Sequence, residues 1–590
     1  MPYGIHTNIK CKSKKKRQPF NPLPHQIAAR NYFVTSPYRG LHLFWKLGSG
    51  KTGGAILIAD LLLEDELVDH VYVISAGSLR KNFIDEYCLK AGKKPDMMYK
   101  YFTYITYNTN FGKHLPKSFE NSLIIIDEVH NFINGVCNAS KNVKLLYNKI
   151  LDTENCRVLT LSGTPIYNKV IEVPVLTNLL KIDAFPNYLT DDGVKQSEFL
   201  TLFDIDEETG ILTPKNKVRF MKSIEGVYSY IPDLGAEYYP EVIYEDVKRI
   251  VMPPYQAYIY IQDYFKENLF AMINPEAYKY SNPAQYSFLK RMKIMASKNV
   301  ISRQPSNFAY PEEILEKEKC ILDKIPREDF NCDKKVEAKL DKELKKSKMK
   351  RNDSVENLTF KDISDKLKSR GGWVEKSYFR DGSLFDKYSP KFWEIMNNVM
   401  DNFNEKHFIF SFFKEQSGVV LIASLFEMCG LKCLIYSGDI SSDTQRQKLL
   451  NDFNSDKNLY GDEYKVILAT DAGAEGITLL DTCHVHIVES DRRENKIAQV
   501  IGRVARFKSH MRLPKDKRKV HVWRYWSVLP EDMIGREILT KSSVDEEGNV
   551  VQKKQKIPSN SIDEILYERG QKKLNEIGSL LALIIDSSVI

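Results

Sequence analysis

The sequence predicts an α/β protein: two tandem, doubly wound parallel-sheet lobes, a charged and partly helical insertion between them, and a C-terminal helix. Three observations predict it. Short apolar runs alternate with helical patterns in two stretches, about residues 21–185 and 389–540, a rhythm that belongs to parallel sheets covered by helices. Several of these runs stop abruptly at glycine, hydroxyl or acidic residues, which is where open α/β sheets bind ligands. Residues 186–388 lose the rhythm and turn polar and charged.

Residues 1–20 make a basic tail, with KCKSKKKR at 10–17. A solvated tail is the plain reading, and a phosphate-contacting arm or a nuclear import signal is the alternative. Leu23-Pro24-His25-Gln26 then opens a helical pattern. A glutamine about two dozen residues ahead of a phosphate loop can pair with an adenine edge, so Gln26 is a nucleotide candidate.

The chain is organised around residues 41–54, LHLFWKLGSGKTGG. The run 41–45 reads as a buried strand, Gly48-Ser49-Gly50 break it, and Lys51-Thr52 open an apolar helix. Strand, glycine turn, Lys-Thr and helix form a phosphate cradle. Backbone N–H groups turn inward on the oxygens, and the helix dipole favours the anion. Lys51 would reach the β- and γ-phosphates, and the Thr52 hydroxyl would hold Mg²⁺. The full pattern asks for glycine where Trp45 stands; a surface turn is the alternative.

Further strands are expected at 71–74, ending at Ser75-Ala76, and at 104–108, which contains Thr106. The run 123–126 leads straight into Asp127-Glu128-Val129-His130. Two carboxylates at a buried strand end are costly unless a cation answers them. Asp127 can hold the metal, and Glu128 can orient and deprotonate a water. The run 158–161 ends in Ser162-Gly163-Thr164-Pro165.

In the insertion, 228–232 and 247–258 read as extended segments followed by helix. Residues 334–351, KKVEAKLDKELKKSKMKR, read as a solvated helix or connector, with a phosphate-backbone contact as the sharper alternative.

The second rhythm gives strands at 407–412, 432–436 (ending in Ser437-Gly438), 464–468 and 485–488, with an apolar helix at 419–428. The third of these leads into ATDAGAEGI, which holds Thr470, Gly473 and Glu475. In the last helix Gln499, Arg503 and Arg506 fall on one face at spacings of four and three, and an acceptor for them is expected nearby. The final segment, 541–590, is a helical extension. Ser561 and Glu564 are placed as a capping box, and apolar residues recur at helical spacing, so the helix is expected to pack on the second lobe.

Composition narrows the class. The 590 residues carry a formal charge of +8 with 43% hydrophobic content, compatible with a polyanion partner. The nine cysteines show no C-x-x-C pair and no zinc spacing, and read as reduced thiols. No apolar run approaches the ~20 residues of a membrane span, so no membrane partner is expected.

One half thus carries a phosphate cradle with a metal-plus-base pair, and the other carries arginines without a cradle. Arginines supplied from across a cleft would neutralise the transferring phosphoryl group, worth roughly 10³–10⁵ in rate. Closure with ATP and opening after hydrolysis would then ratchet a nucleic-acid strand held at Ser75, Thr106, Thr164, Ser437 and Thr470, whose small or hydroxyl side chains suit sequence-blind phosphate contact.

GSGKT, DEVH, SGTP, ATDAGAEGI and QVIGRVAR stand in the order and spacing of the superfamily 2 helicases and translocases, which the chain resembles over its two RecA-like lobes. LPHQIA, LGSGKT, YSYIPDLGAEYYPEV, MPPYQ and KHFIFSFFKEQSGVVLI look like the group holding the poxvirus early transcription factor small subunit and nucleoside triphosphatase I. The resemblance implies an ATP- and Mg²⁺-dependent translocase acting on DNA rather than RNA. It implies work in transcription outside the nucleus, in the cytoplasm or the virion, with RNA polymerase or another factor subunit as a partner. By that likeness Gly48, Ser49, Gly50, Lys51, Thr52, Gln26, Gly473 and Glu475 bind the nucleotide, and Thr52 and Asp127 the metal. Glu128 and Asp127 work on the water and the metal, while Gln499, Arg503 and Arg506 complete catalysis. An RNA helicase and a polymerase-binding subunit with a secondary ATPase are the alternatives.

Overall fold

A computed structural model describes residues 21–310 and 388–590, apart from 47–48, 76–82, 85, 88–99, 107–115, 117, 139, 187–188, 191–192, 233–235, 280–282, 415–416, 429–430, 438–439, 441–442, 472–476 and 545–549. Gly48, Gly473, Glu475, the 10–17 tail and the basic run 334–351 lie outside the described residues. The chain divides into two compact units, 1–236 with 571–590, and 237–570.

The first unit is built on a six-stranded sheet: β1 (Gly40–Trp45), β2 (His70–Ser75), β3 (Phe102–Thr106), β4 (Ser122–Asp127), β5 (Cys156–Leu161) and β6 (Tyr228–Ile231), in the order β6-β1-β5-β4-β2-β3. All its pairings are parallel. The central strands are apolar on both faces because helices cover both. On one side pack α1 (Pro24–Thr35) and α2 (Lys51–Glu64), around Ala29, Phe33, Ile56 and Ala59. On the other pack α3 (Val129–Cys137), α4 (Lys141–Leu151) and α5 (Glu172–Leu180), around Phe132, Leu146 and Leu176.

The parallel pairing sets the ends of β1, β5, β4, β2 and β3 along one edge. Leu43 is opposite Leu161, Asp127 opposite Leu161, and Ser75 opposite Thr106. Every expected strand of the first stretch has a counterpart, the one expected at 104–108 running over Phe102–Thr106, with 107–108 outside the described residues. The expected boundary at 185 is corrected, because β6 comes from the presumed insertion. Its pairing with β1 and the burial of Tyr228 on the α5 side make it part of this sheet.

The second unit holds β7 (Glu241–Tyr244), β8 (Lys248–Val251), β9 (Lys406–Phe410), β10 (Cys433–Tyr436), β11 (Val466–Ala469), β12 (Thr482–Ile487) and β13 (Lys519–Val528). Their order is β7-β13-β12-β9-β11-β10, with β8 also on β13, all parallel. Here too the insertion is built in. β7 and β8 extend the sheet, and α6 (Pro254–Met272), α7 (Pro283–Ser297) and α8 (Val300–Asn307) follow. Ser302, Arg303, Ser306 and Asn307 of α8 are buried.

The helix α9 (Pro390–Asp401) brings Lys391 to Asp563 at 2.7 Å, a pair with no solvent exposure. Ser490 and Ser527 N–H groups also donate to Asp563. Removing one member of such a pair costs roughly 3–5 kcal/mol, because the other is left buried and unanswered.

The helix α10 (Val419–Met428) lies where the helical pattern predicted it, α11 (Asp443–Phe453) is a helix that the sequence reading did not single out, and α12 (Glu494–Ile501) precedes β13. The C-terminal helix α13 (Ile562–Asp586) starts with the predicted capping box: Ser561 N–H donates to Glu564 Oε2 at 2.8 Å, and Glu564 N–H to Ser561 Oγ at 3.4 Å. Its expected packing is corrected. Ile562 and Leu566 join the core of the second unit, but Ile577, Leu580 and Ile584 join that of the first. The residues after it pair with β6, Val589 N–H donating to Tyr228 O and Tyr230 N–H to Ile590 O. Among the described residues no helix is long and apolar enough to cross a membrane.

Candidate active site

The loop after β1 turns into α2 at Gly50, whose φ of 81° is left-handed backbone that glycine adopts without a Cβ clash. Two side chains of α1 hold this turn. Gln26 Nε2 donates to Gly50 O at 2.8 Å, and its Oε1 accepts from Leu23 N–H. His25 Nε2 lies 2.9 Å from Ser49 O, with its ring edge-on to Trp45. Gln26 therefore spends one donor and one acceptor on the loop and on its own helix start. Trp45, standing where the full pattern has glycine, is buried, and its indole N–H donates to Ser229 Oγ at 2.9 Å. Ser49 is buried, with its hydroxyl donating to Lys46 O.

Lys51 begins α2, and its ammonium donates to Trp45 O at 2.9 Å and Lys46 O at 3.3 Å. Burial lowers its pKa, and the charges of Glu128 and Asp127 oppose that shift, so both carboxylates face the lysine. Thr52 follows in the same turn. Asp127 ends β4, and burial and the neighbouring Glu128 push its pKa up to about 7, against Lys51 and the Glu128 N–H that donates to it at 3.0 Å. A buried carboxyl poised this way fits a dication: Thr52 and Asp127 would hold Mg²⁺, which supplies charge to the phosphoryl oxygens when bound.

Glu128 has φ 50°, a left-handed conformation that is costly for a side-chain-bearing residue and often marks function. It turns β4 into α3 and sets Oε2 3.3 Å from His130 Nδ1. The same Nδ1 is 2.9 Å from Ser162 Oγ at the end of β5. Ser162 donates to Thr164 O and accepts from Thr164 N–H, so the imidazole carries its hydrogen on Nδ1. Burial keeps that ring neutral. Glu128, His130, Ser162 and Thr164 thus form one chain from the nucleotide loop to a strand end. DEVH and SGTP showed its members, but nothing in the sequence joined them. His25 was visible only as the neighbour of Gln26.

The other strand-end residues divide. Thr106 and Thr164 are half-buried. Ser75 is fully buried and hydrogen-bonded to the Tyr104 hydroxyl, so its expected contact with nucleic acid is corrected. Ser437 and Thr470, in the second unit, are 7% and 8% exposed and present little surface. In the loops that follow β9 and β12, the guanidinium of Arg493 lies over the ring of Phe412, two residues that the sequence did not single out.

Gln499 lies in α12 and is half-buried. The expected single helical face is corrected: α12 ends at Ile501, Arg503 follows in a turn, and Arg506 lies beyond that turn. Gly502 is a weak helix former, and Arg503 gives its carbonyl to Leu479 N–H rather than to a further helical turn. Arg506 Nε donates to Gly502 O at 3.0 Å and Nη1 to Thr478 Oγ1. Among the described residues no cluster of three or more His, Cys, Asp or Glu could hold a metal.

The SNF2-related domain family matches residues 70–224, and the helicase conserved C-terminal domain matches 390–508. A putative ATP-dependent RNA helicase of Acanthamoeba polyphaga mimivirus is 26% identical over 94% of this chain and 71% of its own length. Nucleoside triphosphatase I of Melanoplus sanguinipes entomopoxvirus is 25% identical over 84% and 71%. A termination factor NPH-I homolog of African swine fever virus is 24% identical over 91% and 74%. The helicase domain of Pyrococcus furiosus Hef aligns over 85% of this chain and 95% of its own at 14% identity and a TM-score of 0.37, too low to bear on the fold. With the loop of Lys51 and the carboxylates of Asp127 and Glu128 in one unit, the chain carries matches to an SNF2-related domain and to a helicase C-terminal domain, and over most of its length it resembles viral proteins named as helicases and nucleoside triphosphatases.

Proposed function

We propose that the protein couples ATP hydrolysis to movement along DNA during transcription, in the cytoplasm or the virion. The observation that carries the coupling is the chain from Glu128 through His130 to Ser162 and Thr164. A group bound against the end of β5 would shift Ser162. That shift would turn the His130 ring and change the orientation of the carboxylate that handles the attacking water. The backbone N–H groups of residues 50–52 hold the phosphates, Lys51 leaves its carbonyl partners to pair with them, and Glu128 accepts the water's proton. Arg503 and Arg506 are assigned to the phosphoryl group in flight, with Gln499 beside them.

The test is ATP turnover with single- and double-stranded DNA and RNA. Lys51→Ala and Glu128→Gln are expected to lose stimulated turnover, and parent-like rates in both would end the proposal. Two mimivirus relatives are named as putative ATP-dependent RNA helicases, which favours a second reading, an RNA helicase. Stimulation by RNA that fails with matched DNA would select it. The African swine fever virus relatives are named termination factors, which supports an RNA polymerase or factor partner. Such a complex should survive Lys51→Ala; a chain that stays monomeric in its native extract would count against it.

A further inference from the structure

We propose that Arg303 is a positioning residue for phosphoryl transfer, acting through Asp491 on the helix that leads into Arg503 and Arg506. The inference rests on the assignment of those two arginines just made. Arg303 comes from α8, outside every motif read from the sequence above. It is 4% exposed, its Nη1 lies 3.4 Å from Asp491 Oδ2, and its guanidinium stacks on Phe412 at 4.9 Å and on Phe413 at 5.5 Å.

Asp491 governs the start of α12. Its Oδ1 accepts from Arg493 N–H at 2.9 Å and Nε at 2.8 Å, and its Oδ2 from Arg493 Nη2 at 3.1 Å. The first helical hydrogen bonds close on Arg493 O, from Lys496 and Ile497. The neighbouring Glu494 is forked onto Arg524 at 2.9 and 2.7 Å. Gly570 of α13 lies against the same turn, where a Cβ would stand 2.8 Å from Glu494 Cγ and 2.9 Å from Asp491 O. Contacts from α8, β13 and α13 therefore grip one turn. An eight-residue helix is about 12 Å long, so a tilt of roughly 5° at this turn moves its far end by about 1 Å. Displacements of that size at a catalytic group can cost about 10²-fold in rate.

Among the described residues Arg303 Nε and Nη2 are buried without a hydrogen-bond partner, so part of the guanidinium's desolvation is uncompensated. When Arg303 is replaced, Asp491 keeps Arg493, but buried Glu489 also loses a nearby positive charge. Activity is therefore compared at a temperature where every variant is folded.

Arg303→Met and Arg303→Lys are compared with the parent for kcat and KM of ATP turnover without nucleic acid, and for the thermal midpoint. Arg303→Met leaves buried Asp491 and Glu489 with one cation fewer and is expected to lower the midpoint; at a temperature where it stays folded, KM should hold within about twofold while kcat falls about ten- to a hundredfold. Arg303→Lys should recover part of kcat, since it keeps a cation on Asp491 but not the planar stack on Phe412. A kcat within about twofold of the parent in folded Arg303→Met overturns the proposal, as does a kcat that falls only at temperatures where the variant unfolds. Arg506→Ala, run alongside, reads the underlying assignment. If it turns over like the parent, that assignment and this inference fall together. An impaired Arg506→Ala beside an unimpaired Arg303→Met overturns the inference alone.

Discussion

His407 Nδ1 and His486 Nε2 lie 3.0 Å apart in the sheet of the second unit, and their neighbours fix which nitrogen carries the hydrogen. His407 Nε2 must donate to Asn402 O, so its Nδ1 accepts from His486. His486 Nδ1 then accepts from the Tyr525 hydroxyl, which in turn accepts from Asn398 Nδ2. The hydrogens run one way from Asn398 to Asn402, and both rings are neutral.

Burial holds both imidazoles well below the ordinary histidine range. A depressed pKa in the folded state means that the unfolded chain takes up protons first on acidification. The stability these rings contribute is present above about pH 6.5 and is lost below it, at about 1.4 kcal/mol per pH unit for each ring. Thermal melts at about pH 7.5 and about pH 5.5 should show a steep loss that is shallower in His486→Phe. Equal pH dependence in the two proteins would refute the arrangement.

Asp127 has the opposite sign. Its folded pKa, about 7, is raised, so the stability it allows is complete below the unfolded value and is lost as pH rises through about 7. Asp127→Asn cannot ionise. Without Mg²⁺ its melting midpoint should exceed the parent's by a margin that grows from about pH 5 to about pH 8, on the order of 1 kcal/mol per unit of displaced pKa. Turnover should be lost throughout. A constant margin would mean that Asp127 is not held protonated.

His130→Ala should lower the ratio of nucleic-acid-stimulated to basal turnover, because it cuts the link from Glu128 to Ser162. Loss of a buried ring also costs about 1–3 kcal/mol, so the ratio and the melting curve are measured on the same sample. An unchanged ratio would leave the link without a role in stimulation.

The residues flanking 311–387 meet: Ala309 N–H donates to Tyr388 O at 2.9 Å, and Tyr255 hydroxyl to Tyr310 O at 2.7 Å. Joining 310 to 388 through a short Gly/Ser linker should leave the second unit folded, because the closure already exists. If the basic run contacts phosphates, the excised protein should also bind nucleic acid with a shallower salt dependence. An unfolded product would show that the segment supports the unit, and an unchanged slope would make its lysines idle.

The first sheet was readable because each buried strand is short, apolar and cut off by its functional residue, as Ile126 is by Asp127. Tyr228–Ile231 was readable as extended, but nothing local assigns it to β1, about 180 residues earlier, since register between distant strands has no sequence signal of its own. The reach of α12 was overestimated because spacing alone cannot register that Arg503 gives its carbonyl to Leu479. Arg303 stood in no motif, and its meaning comes only from the carboxylate it meets.

Residues 588–590 lie along β6, exchanging backbone hydrogen bonds with Tyr228 and Tyr230. The outer flank of the first sheet is thereby sheathed by residues 588–590. A bare flank would offer a template to a second copy, and fibre-like growth would compete with folding at high concentration.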